Sequence, residues 1–138
     1  MNARLNLAKV SIKEGHAAAA VGALKELRKE ADSLPQKYIA MECSIALGEA
    51  LLNTKDYSHA KDELQSAVRK SEDLGMKSLL PEAHYLFAEA LSKNGSKADA
   101  DRHLQQAAQL VEGMRQESKS DSLLQRADLK PIVEAAKK

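Results

Sequence analysis

The side chains best suited to chemistry are few and far apart along this sequence. Of its 138 residues, one is a cysteine and four are histidines, namely His16, His59, His84 and His103. They follow no metal-binding spacing such as H-E-x-x-H or C-x-x-C. Cys43 stands beside Glu42, and a neighbouring carboxylate disfavours the reactive thiolate. We therefore expect structural roles for all five residues, no metal, no cofactor and no enzymatic activity.

The composition also disfavours nucleic-acid binding. The formal net charge is +1, and the chain has one Phe, three Tyr and no Trp. Nucleic-acid-binding surfaces usually carry an excess of basic charge, often with stacking aromatic side chains. The segment Asn94-Gly95-Ser96-Lys97 lacks the first glycine of a phosphate-binding loop and is interpreted as a turn.

Length and hydropathy indicate one folded domain. Hydrophobic residues make up 43% of the chain, which is enough to build a core. No apolar run reaches the roughly 18 residues of a membrane span, and residues 1–14 lack the apolar core of a secretory signal. One cysteine allows no internal disulfide. We expect a cytoplasmic protein and, because the helical pattern starts almost at Met1, a fragment of a longer chain.

A repeat of 40 residues organises the chain. Shifting the sequence by 40 aligns similar residues without a gap, so repeats begin near Met1, Met41 and Pro81. The aligned sets are Leu7, Leu47 and Phe87; Ala8, Gly48 and Ala88; Ala20, Ala60 and Ala100; Leu24, Leu64 and Leu104; and Leu27, Ala67 and Ala107. Positions are counted within the repeat below, so Leu7, Leu47 and Phe87 all occupy position 7.

Each repeat contains two apolar stripes with helical spacing. Positions 7, 8 and 11 form one stripe and positions 20, 24 and 27 the other, with turn-forming residues such as Gly15-His16 between them. The pattern predicts helices near 2–14, 17–33, 36–54, 57–74, 78–94 and 97–117. Small residues at positions 8 and 20 are expected where paired helices cross, and Ser78 is expected to cap the helix that contains Pro81.

The second repeat carries a family resemblance. It reads Leu47-Gly48-Glu49-Ala50-Leu51, then Lys55-Asp56-Tyr57, followed by Ala60, Leu64 and Ala67, and it closely resembles the tetratricopeptide repeat. The period departs from the usual length of about 34 residues. The resemblance implies an all-α fold, a right-handed α-solenoid of three stacked antiparallel helix pairs, with repeats over 1–40, 41–80 and 81–118. His84 then falls where a side chain packs between helices.

A polar segment, Ser118 to Ser122, follows the repeats and leads into a further apolar pattern that includes Ile132. Pro131 is expected to kink this pattern. Because a solenoid needs capped ends, residues 119–138 are predicted to form a hinge and a C-terminal capping helix. The alternative is a detachable segment that folds back into a groove or onto a second copy. The first helix has no cap, so it is a candidate surface for self-association or for upstream repeats.

The resemblance also implies where a partner binds. In tetratricopeptide repeats the first helices line a concave face, and positions 2, 5, 9, 12 and 13 carry ligand contacts. These positions share one side of a helix, away from the packing stripe. The candidate groove residues are Leu5, Lys9, Ile12 and Lys13 in the first repeat, Glu42, Ile45, Glu49, Leu52 and Asn53 in the second, and Glu82, Tyr85, Glu89 and Lys93 in the third.

Within this set, position 5 forms an apolar line across the repeats and the four glutamates form an acidic wall. Such a groove suits a helix or extended peptide that carries Lys or Arg, although the glutamates could equally be solvated helix residues. The predicted function is a protein–protein interaction module or scaffold. The alternatives are a homodimerisation domain that uses exposed terminal helices and a regulatory domain that senses a small ligand. Glutamates at position 9 disfavour capture of a chaperone's C-terminal carboxylate.

Overall fold

The computed structural model describes residues 2–35, 37–118, 131, 132 and 135, and this part of the chain contains six α-helices and no strand. The helices are α1 (Asn2–Lys13), α2 (Ala17–Asp32), α3 (Tyr38–Asn53), α4 (Tyr57–Asp73), α5 (Leu80–Lys93) and α6 (Lys97–Ser118). Each helix packs against the next, and α3 also contacts α1 and α5. The predicted all-α stack of three antiparallel helix pairs is confirmed, and every helix end lies within two residues of its predicted position.

The turns inside the three helix pairs repeat the same backbone geometry. At position 15 the chain enters the left-handed region, and the next N–H donates a hydrogen bond to the carbonyl at position 11, which closes the end of the first helix. The left-handed residues are Gly15 (φ 87°), Lys55 (φ 67°) and Gly95 (φ 89°). The closing bonds are His16 to Ser11 at 2.8 Å, Asp56 to Leu51 at 2.9 Å and Ser96 to Leu91 at 2.8 Å. The 40-residue repeat of the sequence is therefore also a repeat of the backbone conformation at these turns.

The small residues predicted at the helix crossings are buried in all three pairs. Ala8, Ala20, Ala88 and Ala100 all belong to the main buried core. In the middle pair the approach is closer, since a Cβ added to Gly48 would lie 2.4 Å from the side chain of Leu64. Small residues therefore set the spacing between paired helices.

Polar contacts join neighbouring repeats. Arg28 of α2 pairs with Glu63 of α4. The Tyr38 hydroxyl lies 3.2 Å from the Ser78 hydroxyl, one repeat further along the chain. The predicted capping role of Ser78 is wrong, because α5 starts at Leu80 with Leu79 at the N-cap position and Pro81 inside the first turn.

Candidate binding groove

The first helices of the three pairs, α1, α3 and α5, lie side by side and carry a continuous groove. Three adjoining cavities of about 250, 200 and 360 Å³ follow its length. Lys9 and Glu82 line both the first and the second cavity, and Tyr85 and Leu86 line both the second and the third. The shared side chains make the three cavities one surface, called the groove below.

Charges of opposite sign face each other across the groove. Lys9 and Lys13 come from α1, whereas Glu49 comes from α3 and Glu82 and Glu89 come from α5. These residues lie at predicted positions, and their helices bring them together. Glu42 lines the first cavity, and its carboxylate lies 3.3 Å from the Lys9 ammonium. Glu49, Glu82 and Glu89 also line the groove, on α3 and α5.

Tyr85 is the aromatic side chain of the groove. It lines the second and third cavities and also packs against the core. Burial, a hydrogen bond donated to the Glu89 carboxylate and the negative charges of Glu89 and Glu49 raise the pKa of its hydroxyl to about 12. A half-buried aromatic ring offers a partner an apolar surface.

The predicted apolar line at position 5 is mostly buried. Leu5 and Ile45 are buried in the core, because α1, α3 and α5 close over them. Ile12 and Leu52 are buried too, although both reach the floor of the third cavity. Of the predicted line, only Tyr85 keeps a partly exposed surface.

The remaining predicted positions divide between the groove and other surfaces. Ile45 forms part of the floor of the first cavity and Asn53 lines the third. Leu5 and Lys93 line none of the three cavities. Ala46 and Leu86, which lie one residue beyond position 5, supply the apolar floor of the second cavity instead.

The C-terminal segment reaches the groove at its α5 end. Pro131 lines both the second and the third cavity, next to Lys13, Glu49 and Tyr85. Ile132 is fully buried against Ala107 and Val111 of α6. Ile132 thus covers the last apolar face of the stack, while the rest of the predicted cap, over 119–130, 133–134 and 136–138, lies outside the described residues.

A contact between His84 and His103 was not predicted from the sequence. Their Nδ1 atoms are 2.9 Å apart, and their rings stack with centroids 5.1 Å apart. The two residues are far apart in sequence, and only the pairing of α5 with α6 brings them together. Cys43 is buried, and burial together with the charge of Glu42 raises the pKa of its thiol to about 11, which favours the unreactive form.

No group of three His, Cys, Asp or Glu side chains within 2–35, 37–118 and the three C-terminal positions is arranged to hold a metal ion. No helix in this part of the chain has the length and apolar character needed to cross a membrane.

A stack of helix pairs whose first helices line one groove defines a tetratricopeptide-type α-solenoid. The TPR domain of Arabidopsis FLU has this fold, with a TM-score of 0.74 at 18% identity over 80% of this chain and 93% of that domain. PlcR of Bacillus thuringiensis, solved in complex with the peptide PapR7 and DNA, gives a TM-score of 0.77 at 14% identity.

The match to PlcR covers 89% of this chain and 45% of PlcR, so the chain spans less than half of that structure. At these identities the likeness concerns the fold alone. No protein-family model matches the sequence, and no curated protein matches it.

Proposed function

We propose that this chain is a protein-interaction module that holds a helical or extended peptide of a partner protein in the groove. The observation that carries the proposal is the continuity of the groove across all three repeats, with charged rims above a partly apolar floor. Peptide grooves in helical scaffolds combine such floors with rims that select the ligand's charges. The structure of PlcR with the peptide PapR7 adds support, since the two chains share a fold.

The distribution of charge favours a peptide with basic side chains directed towards α3 and α5. Glu49 and Glu89 lie on that side and border Tyr85, whose pKa is raised by both carboxylates. Lys9 and Lys13 lie on the α1 side, and Lys9 already pairs with Glu42. A Lys or Arg in the ligand would therefore meet its attractive charges at the α5 end of the groove. The apolar part of the ligand would lie over Ala46 and Leu86.

The test uses two peptides that differ only along one helical face. The basic peptide has Lys at the positions where the acidic peptide has Glu. Calorimetric titration with the wild type should show tighter binding of the basic peptide. The double substitution Glu49→Lys/Glu89→Lys should weaken that binding by about tenfold, which corresponds to about 1.4 kcal/mol. The acidic peptide should gain affinity, because the wall then carries the opposite charge.

A matched control places the same change of net charge outside the groove. Asp62→Lys/Asp73→Lys alters two exposed carboxylates of α4, which is a second helix of its pair and lines no part of the groove. This variant should bind both peptides as the wild type does, apart from a small long-range effect that salt screens. Equal losses in the two variants, or unchanged preference after Glu49→Lys/Glu89→Lys, would refute the acidic wall as a binding surface.

A further inference from the structure

The first helix pair leaves an apolar surface uncovered at the end of the stack. Leu7 is 68% exposed and Val10 is 49% exposed, both on α1. Beside them, α1 and α2 enclose a cavity of about 410 Å³ lined largely by small residues, including Ser11, Ala19 and Ala23. This surface is called the end face below. Leu7, Val10, Ser11, Ala19 and Ala23 line none of the three groove cavities, so the end face is separate from the proposed binding groove.

The equivalent positions of the second and third repeats are buried. At position 7, Leu47 is only 1% exposed and Phe87 only 5%, and Ala50 and Ala90 at position 10 are fully buried. The helices that cover them come from the preceding repeat, because α2 packs on α3 and α4 packs on α5. Among the described residues nothing covers the equivalent surface of α1 and α2. Leu7 and Val10 therefore expose apolar surface of a kind that packing buries in the second and third repeats.

The end face is complementary to a second copy of itself. Leu7 and Val10 project from it, and the adjoining cavity offers a hollow floored by alanines. A two-fold axis would place the projecting side chains of each copy in the hollow of the other, which is the requirement of an isologous interface. Arg4 at the rim of the cavity already pairs with Glu30 of the same chain, 2.7 Å away, so the match between two copies is one of shape. Small residues allow the close helix approach that such packing needs.

The opposite end of the stack does not offer the same opportunity. The last apolar face, at Ala107 and Val111, is already covered by Ile132. A head-to-tail contact between copies would have to displace this residue, and it would continue into an open filament. Contact between two end faces needs no displacement and stops at two copies.

We propose that the end face docks a second copy of this chain and forms a two-fold dimer in which both grooves remain open. The experiment measures molar mass by light scattering over a wide concentration series, using the full chain. The wild type should approach twice the mass of one chain and go no further. Leu7→Glu should raise the dissociation constant by at least about a hundredfold, because it places a carboxylate in the apolar hollow.

Leu74→Glu is the matched control. It makes the same exchange at a leucine that is 52% exposed but lies at the end of α4, away from the end face. It should dimerise as the wild type does. Circular dichroism of both variants checks folding, which is expected to persist because each leucine is exposed in the single chain. A wild type that stays monomeric at every concentration, a mass that grows beyond two chains, or a dimer that Leu7→Glu does not weaken would each overturn the proposal.

Discussion

At the scale of single residues, the contact between His84 and His103 makes the stability of the stack depend on pH. Two ring nitrogens 2.9 Å apart form a hydrogen bond only if one donates and the other accepts. Burial, with a further effect from His103, lowers the pKa of His84 to about 4, and burial lowers the pKa of His103 as well. Around the pair, Arg102 lowers the pKa of His103, while Asp99 and Glu72 raise it. The folded state therefore favours the neutral pair.

We expect the chain to lose stability as the pH falls from about 7 to about 5. An unfolded histidine has a pKa of 6.5, so the unfolded chain binds a proton that folded His84 resists until about pH 4. The stabilisation is complete above pH 6.5 and disappears as the pH falls towards 4. Linkage over this interval predicts a decrease of about 2 kcal/mol in the free energy of unfolding at pH 5. Urea unfolding at both pH values measures it.

Two variants separate this effect from the titration of carboxylates. His84→Leu should flatten the dependence on pH, because the buried titrating group is gone. His16→Gln removes an exposed histidine at the turn after α1 and should leave the dependence as it is in the wild type. If His84→Leu loses as much stability as the wild type between the two pH values, the buried pair is not the cause.

At the scale of elements, the crossing of α3 and α4 depends on the absence of one methyl group. A Cβ on Gly48 would lie 2.4 Å from Leu64, whose side chain is fully buried. We expect Gly48→Ala to destabilise the chain by about 1–3 kcal/mol, because Leu64 must move within a packed core. Gly22→Ala in α2 is the control, since a Cβ there meets nothing within 4 Å. It should stabilise by about 0.5–1 kcal/mol, and thermal unfolding distinguishes the opposite signs. A stabilising Gly48→Ala would contradict the tight crossing.

The helices and turns could be predicted from the sequence because their signals are local. Small residues at positions 8 and 20, large ones at 7 and 24, and a turn at 15 recur three times, and each signal acts within one helix pair. Even Lys55, the one non-glycine in this turn series, adopts the left-handed conformation that Gly15 and Gly95 adopt. That conformation disfavours an L side chain by roughly 1–2 kcal/mol, so the stack imposes the turn on this residue.

The groove was less predictable, because it depends on how far neighbouring repeats close together. Lys13, Glu49 and Glu89 reach it from positions 9 and 13, as the helical pattern predicted. Position 5 lies on the same side of the helix as positions 9 and 13. The sequence does not give the distance between the first helices of neighbouring repeats, and at position 5 these helices bury Leu5 and Ile45. The contact of His84 with His103 lies between two helices and has no local signal. A search for polar residues facing each other across the predicted pair could have found it.

At the scale of the whole molecule, Ile132 joins the C-terminal segment, the end of the stack and the groove. It is fully buried against Ala107 and Val111, and Tyr85, which lines the groove, packs on the same cluster. Its neighbour Pro131 borders two of the groove cavities. The α5 end of the groove is therefore shaped in part by a segment that follows the repeats.

If this contact belongs to the folded domain, Ile132→Ala should lower the free energy of unfolding by about 2–5 kcal/mol, as truncation of a buried aliphatic side chain does. Leu34→Ala provides the comparison, because Leu34 is an exposed leucine in the connection between α2 and α3 and should change stability by no more than about 0.5 kcal/mol. Urea unfolding of both variants decides the matter. Equal and small effects would mean that the stack ends at α6 and that the C-terminal segment only rests on it. A large effect of Ile132→Ala alone would mean that the cap is part of the cooperative unit, so the shape of the groove at Tyr85 depends on it.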